Sequence, residues 1–526
     1  MKVNGIIWLG EIAQWATRLV FSAALVFAVT IVTRAAETVG ASPRADTPDF
    51  AAIDRYIEKE MQVTRLPGLA LGIVHGDQIV HLKGFGVADP SGRAVTPQTP
   101  FHLASIGKSF TALAIMQLVE AGQVELDAPV QRYLPWFRVA DADAAARITV
   151  RHLLNQTSGI SSASSLDISA QNFTGEQAIE QSVRALATAE LNRPVGESYE
   201  YANMNYVTLG LIVQTVSGQP YAEYIQQQIF LPLEMSAAYL DSSQDRERGA
   251  AVGHAYWFGF PRPAPMLQFP GDQPAGADSF SAGAEDMSHY LIAQLNGGRY
   301  GEQNLLSPEG IVTLHEPASP TGAPDSFYGM GWVKGVITGV PVVHHDGGLP
   351  GFLSYMALAP ANRWGVVVLT NGEASLNVRT SAIGYGVVSL LHRQQPAPPP
   401  DDDRWLVYTV LLVVAVIQAA GMMHTLSVIR RWRIQPERRP AGRGTMLWHI
   451  GLPLAINLAW GIAILIVLPS LVSIPRRILA ASFPDVNMIL TLSAMVALAW
   501  SILRTAMALN ALGATHANCV TRAQTA

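Results

Sequence analysis

The sequence predicts an α+β fold: an antiparallel sheet flanked by helices with an inserted all-helical region, followed by a C-terminal bundle of transmembrane helices. Three observations predict it. Strand-like runs lie near both ends of residues 46–393 with helix-like runs between them. A hairpin of period two closes that segment. Past a proline-rich break at 394–404, three apolar stretches are each long enough to cross a bilayer.

Taken in order, Lys2 and Arg18 precede an apolar run from Leu19 to Val32. That length suits the core of a signal peptide and is short for a membrane span. Val39-Gly40-Ala41 offers small residues for cleavage, and the alternative for residues 1–45 is an uncleaved N-terminal anchor. Either one carries the following domain across the membrane. A helix is expected over Phe50 to Val63, then strands over Gly68 to His75 and Gln78 to Gly86. The closing hairpin pairs Leu353–Leu358 with Gly365–Thr370 around a turn at Pro360-Ala361-Asn362, and a helix over Ser375 to His392 follows. Strands from both ends then meet in one sheet, with the helical region inserted between them.

The break at 394–404 contains Pro396-Ala397-Pro398-Pro399-Pro400, a stiff extended spacer, and ends in aspartates. Trp405–Ile429, Met446–Val472 and Val486–Leu509 are the expected spans within 405–510. Between the first two lie Arg430, Arg431, Arg433, Arg438, Arg439 and Arg443 against one acid, Glu437. This is the pattern of a cytoplasmic loop. It implies an external hydrolase domain, an outside loop near Ile474 to Asp485 and a cytoplasmic tail at 511–526; Arg476 and Arg477 run against it. The spans lack charges at their centres, which fits an anchor rather than a transport path.

Composition excludes several classes. With 49% hydrophobic and 14% charged residues, the chain reads as membrane-associated. The net charge of −5 and the absence of a basic patch with interleaved aromatics argue against a nucleic-acid partner. The single cysteine, Cys519, lies in the tail, so residues 46–393 have neither a disulfide framework nor a thiol nucleophile. No His-Glu-x-x-His or paired-cysteine spacing calls for a metal, and no cofactor is implied.

Three motifs carry chemistry. Ser105-Ile106-Gly107-Lys108 puts a hydroxyl and an amine one helical turn apart, ahead of the apolar run Phe110–Val119. A serine needs a base to attack a carbonyl at neutral pH, and the helix start adds potential that favours negative charge. Among the five lysines, Lys108 alone has a serine three residues before it. Tyr201-Ala202-Asn203, on a turn leading into a helix, brings a phenol that can shuttle protons and an amide that can hold a carbonyl. His345-Asp346-Gly347-Gly348 follows a strand-like Gly339–Val343, where glycines admit a substrate backbone and a free N–H can complete an oxyanion hole. Each has a plainer reading: a solvated lysine, a packing tyrosine, a structural histidine such as the adjacent His344.

In this order the motifs resemble those of the serine β-lactamase and penicillin-binding-protein superfamily, in its class C-like branch. The flanking text agrees, from Phe101-His102-Leu103-Ala104 through Leu126-Asp127-Ala128-Pro129-Val130, Arg151 to Gly159 and Pro232-Leu233-Glu234-Met235 to Ala282-Gly283-Ala284-Glu285-Asp286-Met287. The resemblance covers residues 48–392 and implies the β-lactamase/DD-peptidase-like fold. It also implies acyl transfer through an ester on Ser105. Lys108, with a pKa lowered by desolvation, takes the proton directly or through Tyr201; either can be the formal base. The backbone N–H groups of Ser105 and Gly348 hold the oxyanion, Asn203 orients the acyl-side amide, Gly347 borders the substrate, and His345 positions the substrate or the proton relay.

Two departures matter. Class C β-lactamases resemble this chain but carry Lys-Thr-Gly where it has His345-Asp346-Gly347; a histidine there looks more like D-stereoselective peptidases, some DD-carboxypeptidases and esterases. Asp346 stands where a hydroxyl usually helps hold a substrate carboxylate, and a carboxylate would repel one. Asp346→Thr is therefore expected to raise acylation by β-lactams and peptides with free C-termini; unchanged rates would sink that expectation. Asn155-Gln156 replaces the more usual Thr-His, with no functional account from sequence.

The implied function is hydrolysis of amide bonds in short peptides carrying D- or unusual residues, for example peptidoglycan peptides or linearised microcystin-type peptides. An esterase or weak β-lactamase on the same site, and a membrane penicillin-binding sensor, are the alternatives. The implied location is a bacterial cytoplasmic membrane with the hydrolase on the periplasmic or extracellular side. The loops Ser161–Gly175 and Tyr256–Ala277, which would set specificity, carry no readable code.

Overall fold

The computed structural model describes residues 48–523 apart from 170, 172, 174, 176, 265–279, 374–378, 399–403, 441 and 469–475; at 373, 379–381, 404, 443, 476–478 and 513–523 the backbone alone is described. The segment 1–45 lies outside these residues, as do parts of the linker and of both specificity loops.

Helix α1 (Phe50–Thr64) begins where Asp49 Oδ1 accepts the Ala52 N–H at 2.9 Å, and it ends at Arg65, a left-handed residue with φ 55°, just before Leu66-Pro67. Ile53, Ile57 and Met61, four residues apart, form its buried stripe. Each such side chain contributes roughly 1.5–3 kcal/mol on burial. Strands β1 (Gly68–His75) and β2 (Gln78–Gly86) follow, at the expected bounds. Helices α2 (Gly107–Glu120) and α3 (Asn203–Ser217) belong to the inserted helical region. A hairpin, β3 (His254–Trp257) with β4 (Phe260–Pro263), precedes helix α4 (Ala284–Leu295).

The chain then returns through β5 (Ser319–Pro320), β6 (Phe327–Tyr328), β7 (Val333–Ile337), β8 (Val340–Leu349), β9 (Phe352–Ala359) and β10 (Trp364–Thr370). A short β11 (Gly372–Glu373) and α5 (Arg379–Leu391) close the domain. The main sheet has eight strands in the order β2-β1-β10-β9-β8-β7-β6-β5, and every neighbouring pair is antiparallel. The sheet is thus formed from both ends of the domain, as expected. The turn Pro360–Asn362 sits where the sequence places it.

Period-two alternation sorts the core into two layers. Leu69, Leu71 and Ile73 of β1, with Val366 and Val368 of β10, pack on one face with Ile57 of α1 and Ile383 and Val387 of α5. Ala70, Val74, Val367 and Leu369 face the other way, with Leu113 of α2, Leu209 of α3 and Leu291 of α4. Gly72 shows how closely α4 lies on the sheet: a Cβ there would meet Ser288 Oγ at 2.4 Å and the Ala284 carbonyl at 2.9 Å. Helix α2 is buried on all sides, with Phe110 stacked 4.1 Å from the Tyr290 ring. That accounts for a sequence apolar all round rather than amphipathic.

Among the described residues, three helices beyond the linker are long and apolar enough to cross a membrane: α6 (Arg404–Ile434), α7 (Gly444–Val467) and α8 (Pro484–Ala523). Their apolar side chains point outward; Leu412 and Ile417 are 64% and 65% exposed. Helix α8 continues past Leu509, where the apolar run ends, through most of the segment expected as a tail. The turn of the β3–β4 hairpin rests on this bundle. Asp485, at the start of α8, accepts the Phe258 N–H at 2.7 Å and the Tyr408 hydroxyl at 2.5 Å, and the Phe258 ring lies 5.8 Å from Tyr408.

Candidate active site

Ser105 lies in a 3₁₀ turn, Ala104–Ile106, that leads into α2. The residues from 101 to 110 are buried apart from Ser105, which keeps partial access to solvent. Ala104 adopts a left-handed backbone with φ 50°. This costs a residue with a Cβ about 1–2 kcal/mol, and such strain is typical of turns that present a nucleophile. The segment is held from two sides: the Leu103 N–H donates to the Phe280 carbonyl at 2.8 Å, and the Ser354 hydroxyl donates to the Leu103 carbonyl at 2.6 Å. One turn on, Lys108 is fully buried, and its Nζ donates to Ser105 Oγ at 2.9 Å.

Tyr201 and Asn203 flank the N-cap of α3, as the sequence predicts, and both are half-buried. The Tyr201 ring centre lies 5.0 Å from Lys108 Nζ, so the first two motifs meet. What pins this turn is Gln156, one of the two departures from the usual pattern. Gln156 is fully buried, and its Oε1 accepts the Ala202 N–H at 3.0 Å and the Asn205 amide at 2.5 Å. Its own carbonyl accepts the Glu200 N–H at 2.9 Å. Gln156→Leu leaves two buried donors unpaired, at about 1–3 kcal/mol each. It is expected to lower kcat for acylation by about 10- to 100-fold with KM little changed; a wild-type kcat would remove Gln156 from any positioning role.

The third motif corrects the sequence reading of its local structure. The strand expected to stop at Val343 continues as β8 through Leu349, so His345-Asp346-Gly347-Gly348 forms part of the sheet. Pairing with β7 ends at His344, whereas pairing with β9 continues to Leu349. Residues 345–349 therefore present an edge without a second partner strand among the described residues. A substrate backbone can add there as a further strand. Gly347 packs on the serine turn, since a Cβ there would sit 2.2 Å from the Leu103 carbonyl and 3.1 Å from the Ala104 Cβ. Gly348 is the next residue along this edge.

His345 is buried, with both ring nitrogens engaged. Nδ1 donates to the Asp346 carbonyl at 2.6 Å, so the neutral ring offers Nε2 as an acceptor, 3.2 Å from the Tyr328 hydroxyl. Burial, and after it the neighbouring tyrosines, push the Tyr328 phenol well above its ordinary value, so it keeps its proton and donates. This geometry suits a histidine that positions rather than one that swings. Asp346 is exposed on the opposite face of β8, opposite Tyr355 in the β9 register. Its charge, after burial, helps raise the Tyr199 phenol. Tyr328 and Ser354 are the residues that sequence reasoning missed; Gln156 stood out in the sequence, but without a role. No metal-ligating cluster occurs among the described residues.

An eight-stranded antiparallel sheet with a helical insertion, and a serine bonded by a buried lysine where the two meet, define the β-lactamase-like fold, whose members are generally serine hydrolases. The chain belongs to the Beta-lactamase family, which residues 53–391 match. It is 30% identical over 328 residues to Protein flp of Staphylococcus aureus strain N315, covering 61% of this chain and 62% of that protein, and so spans less than two thirds of that relative's length. Penicillin-binding protein 4 of Amycolatopsis lactamdurans is 30% identical over 333 residues, 60% of this chain and 83% of its own. The octameric penicillin-binding protein homologue from Pyrococcus abyssi superposes with a TM-score of 0.58 at 26% identity, over 69% of this chain and 81% of that one. EstCE1, described as a hydrolase with promiscuous acyltransferase activity, shares the fold with a TM-score of 0.56 at 22% identity, over 64% of this chain and 98% of its own.

Proposed function

We propose that this protein is a membrane-anchored serine hydrolase that forms an acyl-enzyme on Ser105 and cleaves amide bonds of short peptides carrying D- or otherwise unusual residues. Peptidoglycan peptides and linearised microcystin-type peptides are of that chemistry. The observation that carries the reading is the 2.9 Å bond from the buried Lys108 amine to the accessible Ser105 hydroxyl. As Ser105 attacks, Lys108 takes its proton, directly or through Tyr201, the N–H groups of Ser105 and Gly348 stabilise the oxyanion, and the proton passes to the amine that leaves as the C–N bond breaks. Asn203 and the β8 edge hold the acyl side of the substrate. Water, activated by Tyr201 and Lys108, then frees the acid. The three apolar helices anchor the domain to a bacterial cytoplasmic membrane. The arginine-rich connection faces the cytoplasm and the hydrolase faces outward.

An esterase on the same site is the second reading. It is favoured by the exposed Asp346 carboxylate, whose charge reaches Tyr199 beside Tyr328 from the opposite face of β8 and so disfavours substrates ending in a free carboxylate.

Matched peptide pairs differing only in L- or D-alanine at the scissile bond separate these readings, followed by mass spectrometry with Ser105→Ala as control. Ser105-dependent cleavage of the D series at least about tenfold faster is expected, a difference of about 1.4 kcal/mol in the barrier. Turnover of an aryl ester with both peptides intact would favour the esterase. A serine that is labelled by penicillin but never turns over would point to a sensor.

A further inference from the structure

The bundle forms a half-open cavity of about 560 Å³ between α6, α7 and α8. Its walls are mainly apolar and aromatic, with Trp432, Trp460 and Trp500 among them. At one end the polar groups satisfy one another: Trp460 Nε1–H donates to Ser493 Oγ at 3.0 Å, the Ser493 hydroxyl donates to Gln418 Oε1 at 3.0 Å, and Gln418 Nε2 donates to the Ser493 carbonyl at 3.2 Å. That end offers a ligand little beyond apolar surface. Arg504 lines the cavity towards the other end, where its guanidinium donates to the His449 carbonyl at 2.6 Å. Between residues 405 and 512 the only carboxylates are Glu437, in the connection between α6 and α7, and Asp485. Asp485 lies about 28 Å from Arg504 along α8, at 1.5 Å per residue. Arg504 therefore forms no ion pair with a carboxylate among the described residues, and four of its five N–H donors have no partner among them.

An arginine within a span, without a counter-ion and beside an apolar cavity, is matched by a ligand that brings its own anion and its own hydrocarbon. The surroundings of Arg504 add to the attraction. The arginine-rich connection folds back over this end of the bundle, with Arg439 Nε donating to the Trp432 carbonyl at 2.8 Å. Basic pockets between transmembrane helices suit lipid phosphates for this reason. On α6 the cavity reaches from Val414 to Trp432, about 27 Å of helix, which is room for a hydrocarbon chain.

We propose that the bundle binds one anionic phospholipid, its phosphate on Arg504 and one chain in the cavity towards Gln418 and Trp460. A fork of N–H donors matches phosphate oxygens bidentately. A free inorganic anion would meet the same donors but would leave the apolar walls unmatched.

The test uses the full-length chain, equilibrated in vesicles with equal amounts of palmitoyl-oleoyl phosphatidylglycerol and phosphatidylcholine, extracted in mild detergent and analysed by native mass spectrometry. One retained phosphatidylglycerol per chain is expected, preferred over phosphatidylcholine by about tenfold. Arg504→Gln should bring that preference close to one, and Arg504→Lys should keep part of it. Gly421 lines the cavity, and a Cβ there meets nothing within 4 Å, so Gly421→Leu should fill the space without a clash and reduce retention of both lipids. Ser105→Ala should retain lipid like the wild type, which separates this proposal from the hydrolase reading. Normal penicillin labelling of the Arg504 and Gly421 variants would show that they are folded. Equal retention of the two lipids, an unchanged preference in Arg504→Gln or displacement of the lipid by millimolar inorganic phosphate would each overturn the proposal. Should Arg504→Gln fail to fold, Gly421→Leu decides.

Discussion

Ser105→Ala is expected to abolish covalent labelling by penicillins and active esters and to lower kcat/KM by about 10⁴-fold or more, while the domain unfolds at the same denaturant concentration as the wild type. The hydroxyl is partly exposed in a preformed turn, so its removal opens no cavity. Lys108→Ala should reach nearly the same loss, about 10³-fold or more, because in the proposed mechanism nucleophile and base act as a unit. It should also cost stability, since Lys108 is fully buried and its removal leaves a void. Lys108→Arg should not rescue activity, because a guanidinium does not give up its proton at neutral pH. Intact-protein mass spectrometry after incubation with benzylpenicillin reads all three. Adduct formation on Ser105→Ala would move the nucleophile elsewhere, and wild-type rates in Lys108→Ala would leave the lysine a packing residue.

Gly347→Ala should be the most damaging change outside that pair. The new methyl group would sit 2.2 Å from the Leu103 carbonyl and 2.4 Å from Ser354 Oγ, the hydroxyl that ties Leu103 to the sheet. Strand β8 or the serine turn must shift by a large part of an ångström, which costs about 1–3 kcal/mol of stability and about 10²-fold in acylation. Gly348→Ala is the control. Its Cβ would meet only the end of the Leu353 side chain, at 3.3 Å, and stability should change by less than about 0.5 kcal/mol. Equal labelling rates for Gly347→Ala and Gly348→Ala would show that contact between β8 and the serine turn does not set the site.

The framework of the domain was legible because its signals are local. Alternation in Leu69-Ala70-Leu71 and in Val366-Val367-Val368 depends only on which face each side chain meets, and both strands appear where expected. The same holds for Ser105 and Lys108, whose spacing across one turn sets their contact. Strand β8 was legible only in part. His345-Asp346-Gly347-Gly348 has poor intrinsic preference for a strand, and these residues are extended because β9 supplies their hydrogen bonds. Helix α8 outruns its apolar stretch because the continuation Gly513-Ala514-Thr515-His516-Ala517 is helical without being apolar. An apolarity criterion finds the bilayer rather than the end of a helix.

Sequence by itself therefore determined the fold class, the sheet built from both ends of the domain, the order of the three motifs, and three helices of spanning length. These follow from periodicity, from spacing within one turn and from summed apolarity, all of which act over a few consecutive residues. Tertiary structure alone decided that Gln156 braces the Tyr201 turn, that Tyr328 holds His345, that Asp346 lies on the opposite face of β8 from His345, and that Arg504 opens onto a cavity without a counter-ion among the described residues. Each depends on which distant group arrives beside a polar side chain. A glutamine or an arginine has the same local preference whether its partner is water, a backbone amide or nothing, and only packing settles which one it meets.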